Sequence, residues 1–127
     1  MTDSASSELE IRALLDRWAH AACVGDMDGV LAHHATDLLM FDVPEPLQAK
    51  GLDAYRRTWE LFFSSNRPGP RRFRLRDMSV VAGHDTAVAF GLLEVADGAA
   101  LCRLTVAYRR SRDGWQVIHE HHSMPIG

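Results

Sequence analysis

The chain has 127 residues, 46% of them hydrophobic, and a formal net charge of −3, which fits one compact domain able to bury a core and an internal pocket. Its 14 Lys and Arg are scattered among 17 Asp and Glu, so no basic patch or stripe argues for a nucleic-acid surface. No apolar run approaches the length of a bilayer span, and Met1 to Ser7 lack the basic and apolar regions of a secretory signal, so a cytoplasmic protein without a membrane partner is expected.

The first element is a helix. Ser7 and Glu10 form a capping box, with residues 1–7 expected as a disordered tail, and Ile11, Leu14, Leu15, Trp18 and Ala22 recur on one face until Gly25 stops the helix near Val24. Asp26 can cap a short second helix to about His34, where His33 and His34 would favour the negative end of the helix dipole. Leu38 to Val43 is apolar enough for a short strand, ended by Pro44 and Pro46. Tyr55, Thr58, Trp59, Phe62 and Phe63 repeat at helical spacing from Leu52 to Phe63, before the breaker Asn66-Arg67-Pro68-Gly69-Pro70. Strand-like segments near 72–81, 86–96, 99–110 and 115–123 are separated by turn signals at Gly83-His84-Asp85, Asp97-Gly98 and Asp113-Gly114. Helices followed by consecutive hairpins predict a single α+β domain over 1–127, with helices packed on one face of a curved sheet. Cys23 and Cys102 lack metal-type spacing and read as reduced, buried, small apolar residues.

The last strand carries the densest chemistry. Strict alternation places Trp115, Val117, His119, His121 and Ser123 on one face and Gln116, Ile118, Glu120 and His122 on the other. Three histidines and a glutamate in succession point to a polar chamber or a metal. A zinc ion needs three or four ligands, and only Asp42, Glu94 or His34 would complete a His119-x-His121 pair, so no metal and no cofactor is expected. Arg103 and Thr105 recur with period two on the preceding strand. Facing inward, Arg103 would meet His119 or His121. A bulge in Arg109 to Arg112 would instead place Leu104 and Val106 inside.

Trp18-Ala19-His20-Ala21-Ala22-Cys23-Val24-Gly25-Asp26, Asp28, Leu31, Asp37, Phe41-Asp42-Val43-Pro44, Gly51, Arg103-Leu104-Thr105, Asp113-Gly114-Trp115 and His119 to Ser123 together resemble the SnoaL-like and ketosteroid-isomerase-like proteins of the nuclear-transport-factor-like superfamily. The resemblance spans nearly the whole chain and implies a cone-shaped, cystatin-like α+β barrel, whose bent sheet wraps the long helix and leaves a pocket at one end. The superfamily hosts isomerases, dehydratases, epoxide hydrolases, polyketide cyclases and non-catalytic domains, so fold alone fixes no reaction.

Within that resemblance Asp42 falls where ketosteroid isomerase carries its general-base aspartate. The position of the oxyanion tyrosine reads Trp18, and the strand of the acidic donor offers Arg103 and Thr105. The resulting expectation is a catalytic group of Asp42, His119 and His121, with Trp18, Phe41, Trp59, Phe62, Arg103, Thr105 and Ser123 around a small apolar substrate. The alternative roles are a turn carboxylate for Asp42 and a hydrogen-bonded closing cluster for the histidines. Two functional classes follow: a cofactor-independent acid–base isomerase, lyase or cyclase acting on an apolar carbonyl-containing substrate, and a non-catalytic small-ligand-binding module with the same pocket; a metal-assisted hydrolase ranks behind both. A homodimer is expected, covering an outer sheet face that carries Ile118, Leu104 or Val106, and Tyr108.

Overall fold

Helix α1 (Thr2–Val24) forms because Ile11, Leu15, Trp18 and Ala22 share one stripe, and all four are buried. The computed structural model describes residues 2–126. The helix begins ahead of its expected start: Ser7 lies within it, and the buried Ser7 hydroxyl accepts from Arg110 Nη2 at 2.7 Å. At the other end Gly25 takes φ +76°, and Asp26 N–H returns to the Ala21 carbonyl at 2.9 Å. The Asp26 carboxylate then accepts from Gly29 N–H at 3.1 Å and caps α2 (Met27–Leu31). That helix stops before the histidines. His34 opens β1 (His34–Phe41) and is a buried strand residue, not a helix-terminal charge.

The remaining elements are β2 (Ala49–Lys50), α3 (Leu52–Ser65), β3 (Phe73–Ala82), β4 (Thr86–Val95), β5 (Ala100–Ser111) and β6 (Gly114–Ser123). The last four strands pair as consecutive antiparallel hairpins, as the turn signals imply. β1 joins the free edge of β6 in parallel, and β2 pairs antiparallel with β1, giving the order β2-β1-β6-β5-β4-β3. The helices pack on the inner face of this curled, mostly antiparallel sheet, which is the α+β architecture expected. Trp18 lies edge-on to Phe73 at 4.9 Å and to Trp59 at 6.1 Å, joining α1, α3 and β3 in one aromatic core.

Two irregularities decide which side chains face inward. In β5, Cys102, Leu104, Val106 and Tyr108 are buried beneath the helices, so Arg103 and Thr105 turn outward. Opposite them, Ala107 pairs with His119 and Tyr108 with Val117, leaving Ile118 as an extra residue in β6. This bulge resets the alternation: Trp115 and Val117 point inward before it, Glu120 and His122 after it. The second irregularity lies in β3 between Arg76 and Ser79, with Asp77 at φ 54°. Here Gly91 of β4 is crossed so closely that a Cβ would meet the Arg76 and Asp77 carbonyl oxygens at 2.9 Å.

Candidate functional site

The reset in β6 drives Glu120 into the interior, where its carboxylate is 1% exposed and gathers three partners. Oε2 accepts from the Tyr55 hydroxyl at 2.7 Å and lies 2.7 Å from His34 Nε2, while Oε1 lies 3.1 Å from His122 Nε2. Tyr55 comes from the buried stripe of α3, and its oxygen accepts from Trp18 Nε1 at 3.2 Å. The His34 ring stacks on Tyr55 at 4.7 Å. Its Nδ1 lies 2.8 Å from the Ala32 carbonyl, which can only accept, so Nδ1 carries a hydrogen and Nε2 shares a proton with Glu120. A buried carboxylate is tolerated here because donors surround it.

Burial alone would raise the Glu120 carboxyl. Hydrogen bonds from His122 and His34, with the charge of the two rings, outweigh it and lower the pKa to about 2. His122 moves the other way. Burial disfavours its cation, but the hydrogen bond and charge of Glu120, helped by the charge of Asp42, carry the imidazole above its ordinary value. Burial and the Glu120 charge hold the Tyr55 hydroxyl well above the usual phenol range, so it stays a donor.

His122 and Glu120 line a cavity of about 470 Å³ whose walls include Met40, Asp42, Tyr55, Trp59, Phe62, Leu93 and Cys102. That volume and its apolar walls with few polar groups suit a small organic molecule. Asp42 is half-buried, and its Oδ1 accepts from Val43 N–H at 2.8 Å. Its charge adds to burial in raising the Cys102 thiol, as it adds to Glu120 in raising His122. Asp42, His122 and Cys102 therefore share one neighbourhood. Trp59 Nε1 is buried in the same wall, with no hydrogen-bond partner of good geometry among the described residues.

Of the residues singled out from sequence, Asp42, Trp59 and Phe62 line this cavity. His119 and His121 do not join them. Both turn to the outer side of β6, where the Phe41 ring lies 4.9 Å from His119 and 5.3 Å from His121, and His119 Nδ1 lies 2.6 Å from the Leu39 carbonyl. Phe41 is thus outside as well. Arg103 and Thr105 share that face, and Ser123, paired with Arg103, is not a cavity residue. Trp18 stands behind the cavity and steadies Tyr55. The His119-x-His121 pair also loses its candidate completing ligands: Asp42 is on the other side, Glu94 pairs with Arg76 at 3.3 Å, and His34 holds Glu120. Among the described residues no group of three metal-ligating side chains is assembled.

The residues that sequence reasoning missed are Glu120, His122, His34 and Tyr55. A glutamate set directly between histidines at the end of an apolar strand is a signal for a buried cluster, whichever face it occupies. Tyr55 was legible as a core position, and its hydroxyl required a buried partner.

A curled, mostly antiparallel sheet around a long helix is the NTF2-like, cystatin-like fold. Residues 11–127 match the SnoaL-like domain, and the chain belongs to that family. It is 39% identical to an NTF2-like protein of unknown function from Pseudomonas putida KT2440, with a TM-score of 0.89 over 98% of this chain and 90% of that one. A candidate dehydratase of the NTF2-like family from Streptomyces avermitilis superposes with a TM-score of 0.82 at 18% identity, over 97% and 99% of the two chains. A candidate ketosteroid isomerase from Parabacteroides distasonis gives 0.69 at 22% identity, over 91% and 85%. At such identities the last two establish likeness of fold. Comparison with curated proteins found no match. Among the described residues no helix is long and apolar enough to cross a membrane.

Proposed function

We propose that the protein is a cofactor-independent acid–base enzyme, an isomerase or lyase, acting on a small apolar carbonyl compound, with Asp42 as base and His122 as acid. The observation that carries this reading is the shared cavity wall of Asp42 and His122, with His122 held by the buried Glu120. An imidazole raised by two carboxylates favours its cation and can donate to a carbonyl oxygen that gains charge. Asp42 would take the proton from the carbon beside that carbonyl, the C–H electron pair forming the enolate double bond. Two outcomes balance. The proton returns to a more distant carbon, which is isomerisation, or a β-hydroxyl leaves as water with a proton from His122, which is dehydration. Glu120, His34 and Tyr55 serve as positioning residues behind His122. The earlier pairing of Asp42 with His119 and His121 gives way to Asp42 with His122. The candidate dehydratase and isomerase of like fold are consistent with this chemistry.

A second reading is favoured by the Val43 N–H on Asp42 Oδ1, the mark of a turn carboxylate: the cavity would then bind a ligand without transforming it. Proton exchange separates the two. Incubated in D₂O with a β,γ-unsaturated cyclic ketone or a β-hydroxy ketone, the protein should speed deuterium uptake beside the carbonyl, and Asp42→Asn and His122→Gln should each slow it by about a hundredfold or more, the worth of one acid–base group. Saturable binding of both ketones without exchange would establish the binding reading instead.

A further inference from the structure

Glu120 has a second side. Between α1, α2 and the strands β5 and β6 lies another cavity, of about 440 Å³, with Leu14, Trp18, Val106 and Val117 as apolar walls and Tyr108 and Glu120 also lining it. Tyr108 is 2% exposed, yet among the described residues no hydrogen bond engages its hydroxyl. Tyr108 is one of the polar side chains lining the cavity beside those apolar walls. Burial, and after it the Glu120 charge, hold the phenol protonated, so the group offers a hydrogen to whatever enters.

We propose that this cavity is a second small-molecule site, separate from the one lined by His122, and that it takes an uncharged, largely apolar molecule whose single acceptor oxygen binds the Tyr108 hydroxyl. With no protein partner for the Tyr108 hydroxyl among the described residues, an acceptor oxygen on the ligand can take its hydrogen in place of water. Charge on the ligand is disfavoured from both directions. An anion would meet the Glu120 carboxylate, and a cation would find that carboxylate already engaged by Tyr55, His34 and His122. The rest of the titratable lining is mixed, Asp16 and Asp26 with Arg17, His20, His33 and His34. The site needs neither Asp42 nor His122 to be catalytic, so it stands or falls apart from the reaction proposed above.

Methyl-resolved NMR with cyclohexanone as the probe tests it, because the two cavities have different methyl reporters. Saturable shifts are expected at Val106 and Val117, which line this cavity, whatever happens at Leu93 and Val95, which line the other. Tyr108→Phe should weaken the binding seen at Val106 and Val117 by about three- to tenfold, the range of one neutral hydrogen bond. Leu14→Phe, filling the cavity from a half-buried position, should abolish it and leave the Leu93 and Val95 response unchanged. Shifts confined to Leu93 and Val95, or no shift at Val106 and Val117 up to the solubility of the probe, would overturn the proposal. So would equal affinity in Tyr108→Phe, or a crystal soaked in cyclohexanone with only ordered water on the Tyr108 hydroxyl.

Discussion

Replacing Glu120 by glutamine keeps the shape of the side chain and removes its charge, and the cost can be worked from its contacts. The amide oxygen can still accept from His122, and the amide NH₂ can donate to His34 Nε2 while His34 Nδ1 keeps its hydrogen on Ala32. Tyr55 then faces a donor and loses its acceptor. In the native protein the carboxyl titrates at about 2 against an ordinary 4.5, a gap of about 2.5 units and hence about 3 kcal/mol of stability at neutral pH. Because the folded pKa is the lower one, the unfolded chain binds the proton more readily. This stability is therefore complete above pH 4.5 and is lost as pH falls through about 2. His122 has the opposite sign: its folded pKa is raised, so its share is present below the ordinary 6.5 and fades as pH rises through the folded value. Both shifts describe one contact and are not added. With an unfolding entropy of about 2.1 cal/mol/K per residue over 127 residues, a loss of about 3 kcal/mol lowers Tm by about 11 °C. Thermal unfolding followed by circular dichroism at pH 7 should show that gap between native and Glu120→Gln protein, narrowing to about half or less by pH 3. A gap below about 2 °C at pH 7, or one that does not change with pH, would refute the account of Glu120 as a paired buried carboxylate.

Tyr55→Phe removes one donor from Glu120 and leaves Trp18 Nε1 without its acceptor, so urea unfolding should lose about 1–3 kcal/mol; an unchanged midpoint would contradict the network. Gly91→Ala forces a Cβ to within 2.9 Å of two β3 carbonyl oxygens and should cost about 1–3 kcal/mol by the same assay, whereas native-like stability would show that the β3 irregularity yields. Assembly is testable too: we expect a homodimer through the outer sheet face, where Phe90 and Leu101 stand exposed. Light scattering should give twice the chain mass at micromolar concentration and the monomer mass for Phe90→Lys, and a monomer mass for the native chain would remove the claim.

The meander was legible because Gly83-His84-Asp85, Asp97-Gly98 and Asp113-Gly114 punctuate it, and the short second helix because Asp26 is placed to cap it. The inward face of β6 was not. Ile118 is as apolar as a continuing strand residue would be, so nothing in its identity marks the bulge; the pairing with Ala107 and Tyr108 creates it. One extra residue exchanged His119 and His121 for Glu120 and His122. The outer-face argument for a dimer failed in part because β5 alternates with Cys102, Leu104, Val106 and Tyr108 inward, so these are core and Phe90 and Leu101 stand outside. His34 looked like a helix end because its burial depends on β1 lying parallel to β6, a pairing between segments far apart in the chain.

That parallel pairing sets the order in which the molecule can be completed. The contacts of Glu120 with His34 and Tyr55 close over sequence separations of 86 and 65 residues, and the β6 strand that brings the carboxylate is among the last segments of this sequence to be synthesised. Until it docks, His34 and Tyr55 lack the acceptor around which they are arranged, and β1 and β5 each present an unpaired edge toward the gap. Long-range closure of this kind slows folding and prolongs the life of open strand edges. A nascent chain halted before β6 would carry α1, α2 and α3 but not the buried carboxylate, leaving two sticky strand edges exposed to other chains.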